Sequence, residues 1–176
     1  MIKKIVLTGP ESVGKSLLVK QLGDYYSAPC VFEIAREYLN IHGNSYTQND
    51  VIEIAKLQIQ VEKDLINQDH KIIFLDTDLI VTKIWLQHCY GDYPKWIDEY
   101  IFAHLADLHL LCYPDLPWID DPLRENPKLR MYFFEKYRQE IKSFNMNYEI
   151  IKGFGEERFY NAFNAVEKNY RGTLVI

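Results

Sequence analysis

Along the chain, short continuous apolar runs alternate with longer stretches in which apolar residues recur at three- and four-residue spacing. The short runs are KKIVLT (3–8), PCVFEI (29–34), KIIFLD (71–76), LHLLCY (108–113) and NYEIIK (147–152). Their length and their Ile, Leu, Val and Tyr content predict five buried strands. Between them, KSLLVKQLGDYY, QNDVIEIAKLQIQVEKDLINQ, LIVTKIWLQHCY, PKWIDEYIFAHL, LRMYFFEKYRQEIKSF and EERFYNAFNAVEKNY carry helical periodicity. In the second of these, Val51, Ile54, Ala55, Gln58, Ile59, Val61 and Leu65 form an approximate stripe that Thr47 or Asn49 can cap. Strands alternating with helices predict an α/β fold, a mostly parallel five-stranded sheet with helices on both faces. No repeat, low-complexity tract or linker interrupts the pattern, so a single domain over residues 1–176 is expected.

The connections are unequal. Residues 114–127, PDLPWIDDPLRENP, hold four of the seven prolines, which argues against a regular element there. A long loop in a compact domain is usually a lid or a disordered insert, and Trp118 and Leu123 favour the lid.

Composition narrows the picture. With 48% hydrophobic and 26% charged residues over 176 positions, the chain reads as a soluble, enzyme-sized domain. A net charge of −5 and the lack of a Lys/Arg run leave no footprint for nucleic acid or an anionic membrane. No apolar run approaches the roughly 18 residues that span a bilayer. The apolar run after the first lysines lasts four residues before turn chemistry, unlike a signal peptide. Cys30, Cys89 and Cys112 have no metal-type spacing and fit reduced thiols. A cytoplasmic protein acting on small molecules is expected.

The chemistry starts in IVLTGPESVGKSLLVKQL (5–22), which contains G-x-x-x-x-G-K-S from Gly9 to Ser16, with a predicted strand before it and a helix after. Gly9 and Gly14 permit backbone angles and close approaches that a side chain would block. Pro10, Glu11, Ser12 and Val13 complete a loop whose N–H groups, at a helix N-terminus, suit the β-phosphate of a nucleotide. Lys15 is placed to reach the β/γ oxygens and Ser16 to coordinate Mg²⁺. A carboxylate beside a triphosphate is repelled, so Glu11 is expected to point outward, toward the acceptor or metal-bound water. The bland alternative, a chance Gly-rich turn, does not account for the strand–loop–helix context.

Asp76 and Asp78 end KIIFLDTD at the C-terminal edge of a predicted central strand, where open α/β sheets place ligands. Asp76 is the candidate metal-side carboxylate and Asp78 the candidate catalytic group near the acceptor hydroxyl; helix capping is the alternative for Asp78. In FEIAREYL, Glu33, Arg36 and Glu37 fall on the same rim and can bind sugar hydroxyls, accept a proton or stabilise the transferred group, or else form an exposed charge lattice on a helix. The lid carries Asp120, Asp121 and Arg124. Arg124 suits the charge of a transferring phosphoryl group, whereas Arg130 can equally be a solvated helix residue. Trp85, Tyr90, Tyr93, Trp96 and Trp118 place aromatic faces on these loops beside Asp92, Asp120 and Asp121. Each ring alone fits a core position; together they fit a flat, cationic acceptor.

TGPESVGKS, AREYL, FLDTDLIVTKIW…CYGDYP and LLCYPDLPWIDDPLRENP…R…FFEKY resemble the kinase domain of NadR-type proteins, the ribosylnicotinamide kinases of NAD salvage, from Ile5 to about Val166. The phosphate loop alone is widespread; G-x-E-S-x-G-K-S, A/G-R-E, D-T-D and W-x-D-D-x-x-R in this order is far more specific. The resemblance implies a P-loop nucleoside/nucleotide kinase-like fold with a lid. It implies an enzyme that uses ATP and Mg²⁺ to phosphorylate the 5′-hydroxyl of nicotinamide riboside, giving nicotinamide mononucleotide. Acceptor contacts are then expected from Arg36, Glu37, Asp78, Trp85, Tyr90, Trp96 and Trp118. Full-length NadR-type proteins also carry a nucleotidyltransferase domain with an H-x-G-H-type motif, and some a helix-turn-helix. This sequence has neither, so adenylyl transfer and repression are not expected of it. A kinase for another nucleoside or small metabolite, or a regulatory ATPase, is the competing reading. A lid bearing Arg124 favours a kinase, which must exclude water from the phosphoryl group.

Overall fold

In a computed structural model, which describes residues 2–43, 45–66, 68 and 70–170, the chain forms a five-stranded sheet flanked by helices. In chain order the elements are β1 (Lys3–Thr8), α1 (Lys15–Tyr26), β2 (Cys30–Val31), α2 (Ile34–His42), α3 (Gln48–Ile66), β3 (Ile72–Asp76), α4 (Leu79–Tyr90), α5 (Trp96–Ala103), β4 (Leu108–Cys112), α6 (Arg130–Ser143), β5 (Tyr148–Ile151) and α7 (Gly155–Tyr170). The strand order is β2-β3-β1-β4-β5 and every pairing is parallel.

The period of two along β1 sorts its side chains onto two cores. Ile5 and Leu7 pack with Leu18, Val19 and Leu22 of α1 and Ala162 and Val166 of α7. Val6 faces the opposite layer with Val51 and Ala55 of α3, Ile80 and Ile84 of α4, and Phe134 and Ile141 of α6. Covered on both faces, β1, β3 and β4 read as continuous apolar runs, and each fully buried Leu, Ile or Phe contributes roughly 1.5–3 kcal/mol.

Three local features depart from the sequence pattern. The second strand was expected over six residues but pairs only at Cys30 and Val31, because a nine-residue helix, α2, starts at Ile34. Thr47 does cap α3: its N–H and hydroxyl donate to Asp50 Oδ2 at 2.7 and 2.6 Å, and Asp50 N–H returns to Thr47 Oγ1 at 3.4 Å. The expected helical run past Ile66 includes Asn67, and the expected 1–176 domain ends in Met1 and 171–176, all outside the described residues. Residues 114–127 contain no helix or strand. No helix among the described residues is long and apolar enough to cross a membrane.

Candidate active site

With β1 central, the chain winds to β3 and β2 on one side and to β4 and β5 on the other, so the loops after β1 and β3 diverge at the C-terminal edge of the sheet. The first of them is the phosphate loop. Gly9 has φ 146°, and a Cβ there would lie 2.7 Å from the Cys112 carbonyl oxygen, so only glycine lets β1 leave the sheet this close to β4. Gly14, left-handed at φ 73°, turns the loop into α1 and leaves the first N–H groups of that helix facing the cavity. Lys15 Nζ donates to the carbonyls of Gly9 and Pro10 at 3.0 and 2.9 Å, arching over the loop.

Ser16 Oγ donates to Asp76 Oδ2 at 2.5 Å. Asp76 is 1% exposed and its other oxygen, Oδ1, is buried with no hydrogen-bond partner. Burial pushes its carboxyl up to about 6 against the opposing charge of Lys15, with Glu33 adding to the rise. A hydroxyl, an adjacent carboxylate and an unspent buried oxygen form the oxygen-donor set a small hard cation takes alongside nucleotide phosphates. No group of three or more His, Cys, Asp or Glu among the described residues suits a metal on its own. The residues therefore fit Mg²⁺ that arrives with a nucleotide.

Asp78 departs from expectation. Thr77 takes φ 74°, a strained left-handed conformation for a β-branched residue, while its N–H reaches Leu7 O at 3.0 Å and its carbonyl accepts from Gln58 Nε2 at 2.9 Å. Of the three, Thr77 borders the cavity, while Asp76 lies behind the wall against Ser16 and Asp78 behind it on the far side of the twist. Asp78 caps α4 by accepting from Ile80 N–H at 3.0 Å and bonds Nε2 of the fully buried His109 at 2.8 Å. His109 holds the Asp78 carboxyl below its ordinary range although burial opposes this. Asp78 does not border the cavity and both of its oxygens are committed, to Ile80 N–H and to His109, so the catalytic and acceptor roles expected of it are withdrawn.

The 114–127 segment is sewn to the phosphate loop. Glu11 does not point outward; its carboxylate accepts from the backbone N–H of Glu125 at 3.1 and 3.3 Å and of Asn126 at 2.9 Å. Ser12 Oγ accepts from Ile119 N–H at 2.9 Å and donates to Pro117 O at 3.3 Å. Arg130 is not a solvated helix residue, since its guanidinium holds Leu116 O at 2.8 Å and Ser12 O at 3.1 Å. Arg36 bridges the same segment to the β2 rim, 3.0 Å from Asp121 and 4.0 Å from Glu33. Arg124 borders the cavity with its Nη1 on Ile119 O at 2.5 Å, a bond that must break before the guanidinium can reach a phosphate.

These parts enclose a cavity of about 570 Å³, within the usual range for small-molecule sites. One end is the phosphate loop, with every residue from Gly9 to Ser16 in the wall. The other is built by Glu33, Arg36, Leu39, Val81, Trp85, His88, Phe133 and Tyr137. Of the expected acceptor residues, Arg36 and Trp85 are in this wall, and Glu37, Tyr90, Trp96 and Trp118 are not. Trp96 packs against the core, Trp118 donates to Asp120 at 2.7 Å, and Tyr90 donates to Tyr46 O at 3.3 Å. Tyr46 itself went unnoticed in the sequence. It borders the cavity, takes the Trp85 indole N–H at 3.0 Å, and stands edge-on to that ring with centroids 4.8 Å apart.

The trifunctional NAD biosynthesis/regulator protein NadR of Escherichia coli strain K12 is 27% identical over 127 residues, covering 70% of this chain and 31% of that protein. A crystal structure of NadR in complex with NR superposes with a TM-score of 0.75 at 24% identity, over 96% of this chain and 49% of that one. Deoxyadenosine kinase from M. mycoides, solved with dCMP and dCDP as products, gives 0.66 at 14% identity over 94% and 99% of the two chains. The chain thus spans about a third of the curated relative and half of the solved NadR chain, and the superpositions establish a shared P-loop kinase fold. The family model described as AAA domain, AAA_28, matches residues 4–158, and with that most of the sequence accounted for, the chain belongs to this family of P-loop domains.

Proposed function

We propose that this protein is an ATP-dependent kinase that phosphorylates the 5′-hydroxyl of nicotinamide riboside to give nicotinamide mononucleotide. One observation carries the reading: a single cavity joins the phosphate loop to an end walled by Tyr46 and Trp85, with Glu33 and Arg36 between them and residues 114–127 across the top as a lid. A donor phosphate and an aromatic-walled acceptor site opening into one covered space is what direct phosphoryl transfer needs. The likeness to NadR bound to NR, and the identity with a NAD biosynthesis protein, support this acceptor.

The residues divide the work. Backbone N–H groups of the loop cradle the β-phosphate, and Lys15 swings from the Gly9 and Pro10 carbonyls to the β/γ oxygens. Ser16 and Asp76 would hold Mg²⁺, which supplies charge neutralisation on the phosphates. Glu33, on the cavity wall at the N-terminus of α2, replaces Asp78 as the group that accepts the proton of the 5′-hydroxyl. Arg36 keeps Glu33 oriented, and Arg124, freed from Ile119 O, meets the charge on the transferring group. Trp85 and Tyr46 offer the faces on which a pyridinium ring gains cation–π attraction.

The test is ADP release measured with nicotinamide riboside, nicotinic acid riboside, uridine and no acceptor. Release that depends on nicotinamide riboside and is matched mole for mole by the mononucleotide supports the proposal. Equal release in all four vessels makes the protein an ATPase.

A further inference from the structure

We infer that Glu125 is the residue through which the lid reads the charge of the acceptor ring, favouring a cationic ring and opposing one that bears a carboxylate. The inference rests on the acceptor proposed above and goes beyond it by assigning selectivity to one side chain.

The geometry isolates Glu125. Its backbone is fixed from the phosphate loop, where the Glu11 carboxylate accepts its N–H and that of Asn126. Its side chain is therefore free to serve the cavity, and its Oε2 accepts from Tyr46 Oη at 2.9 Å. Tyr46 in turn accepts from the Trp85 indole at 3.0 Å, so the chain of donors runs from Trp85 through Tyr46 to the carboxylate. Burial pushes the Tyr46 hydroxyl up, and the bond to Glu125 adds to this, so Tyr46 remains a donor and Glu125 the acceptor. Two aromatic residues thus hold one lid carboxylate beside the faces proposed to take the ring.

The other charges of the wall are engaged. Glu11 is spent on lid N–H groups, Glu33 and Asp121 share Arg36, Lys15 caps two loop carbonyls, and Arg124 is bonded to Ile119 O. His88, at the same end, stands edge-on to Phe133. Glu125 has no cationic partner within ion-pair distance among the described residues, which leaves its charge unpaired at the acceptor end, in addition to the net negative charge of the Glu33–Arg36–Asp121 group. A ring carboxylate brought within about 5 Å of it would be repelled; with partial screening by water this is on the order of tenfold in affinity.

The test uses two kinds of probe. The first is kcat/KM for nicotinamide riboside and nicotinic acid riboside in the wild type, Glu125→Gln and Glu125→Lys. Gln keeps both the Tyr46 hydrogen bond and the backbone link to Glu11, and removes only the charge. The expected result is a wild-type preference for the amide that falls about tenfold in Glu125→Gln and inverts in Glu125→Lys. The second probe needs no phosphoryl transfer: tryptophan-fluorescence titration with 1-methylnicotinamide, a cation, and trigonelline, its zwitterionic carboxylate. Wild type should favour the cation, and Glu125→Gln should lose most of that preference. An unchanged amide-to-acid ratio across the variants overturns the inference while leaving the kinase reading intact. A wild type that phosphorylates neither riboside overturns the kinase reading, and the titration then decides the charge reading alone, with equal preference in both proteins refuting it.

Discussion

Replacing Asp76 by Asn should change how the stability of the free protein depends on pH, by an amount the site dictates. The wild-type carboxyl is raised to about 6 from an ordinary 3.8, chiefly by burial. A carboxyl whose folded-state pKa is raised adds stability in full below the unfolded value near 3.8, and loses it as pH rises through about 6. The shift of about two units, at roughly 1.4 kcal/mol each, amounts to about 3 kcal/mol of destabilisation at neutral pH. Asn does not titrate. It brings a pH-independent cost, because one amide N–H faces the place where Asp76 Oδ1 has no partner. Subtracting the two stability curves removes that cost and the titration of every other group. The assay is urea unfolding of both proteins between pH 4 and 8 without magnesium, with stability taken as variant minus wild type. That difference should climb by about 2.5 kcal/mol across the range, mostly between pH 4 and 6.5. Parallel curves would refute the claim that a buried, poorly compensated carboxylate waits at this site. In a companion titration with Mg²⁺ and nucleotide, the wild type should gain more stability than the variant, the difference being the magnesium-dependent part.

Lys15→Ala should lower kcat by about 100-fold or more in a folded protein, read by steady-state kinetics with circular dichroism as the control, since the charge at the β/γ oxygens is lost. Arg124→Ala should reduce kcat more than it raises KM for ATP, and Arg124→Lys should rescue poorly because the planar fork is gone; an effect on ATP binding alone would remove Arg124 from the transition state. Glu33→Gln should depress kcat by about 100-fold with little change in melting temperature. Asp78→Ala should do the reverse, lowering stability by about 3 kcal/mol through loss of a helix cap and a buried partner of His109, with kcat largely kept in the folded fraction.

What the sequence made legible follows from how local each signal is. The bounds of α1 and α4 are readable because their terminators are adjacent in sequence: Gly14 opens one, Asp78 caps the other, and Gly91, left-handed at φ 76°, closes it. The phosphate loop is likewise a continuous motif. The errors arise where a fold-level twist overrides a local pattern. The D-T-D run promised two carboxylates on one rim, but the left-handed Thr77 breaks the alternation and sends Asp78 to His109, 31 residues away. VFEI looked like a strand because three of its four residues are apolar, whereas Glu33 stands at the N-cap of α2 and Ile34 already belongs to that helix. Trp96 lies on a helix whose Ile97 and Ile101 are core, so its aromatic face was structural. Tyr46 has no periodic neighbours. It reaches the cavity only because the α2–α3 connection brings it to Trp85, 39 residues on, and its sole local hint is an aromatic residue just before the Thr47 cap.

The central claim is that this cavity transfers phosphate to a riboside chosen for its positive ring. A pyridinium over an aromatic face gains roughly 0.5–2 kcal/mol, and the carboxylates of the wall add to it. Uridine, neutral and of similar size, loses both contributions, and about 1.4 kcal/mol is tenfold. The decisive measurement is kcat/KM for nicotinamide riboside and uridine side by side at matched ionic strength, with the phosphorylated product identified by mass spectrometry. The account predicts at least about a tenfold preference for nicotinamide riboside, with nicotinamide mononucleotide as the product. Equal values for the two would contradict it, since the pocket would then be reading the ribose alone.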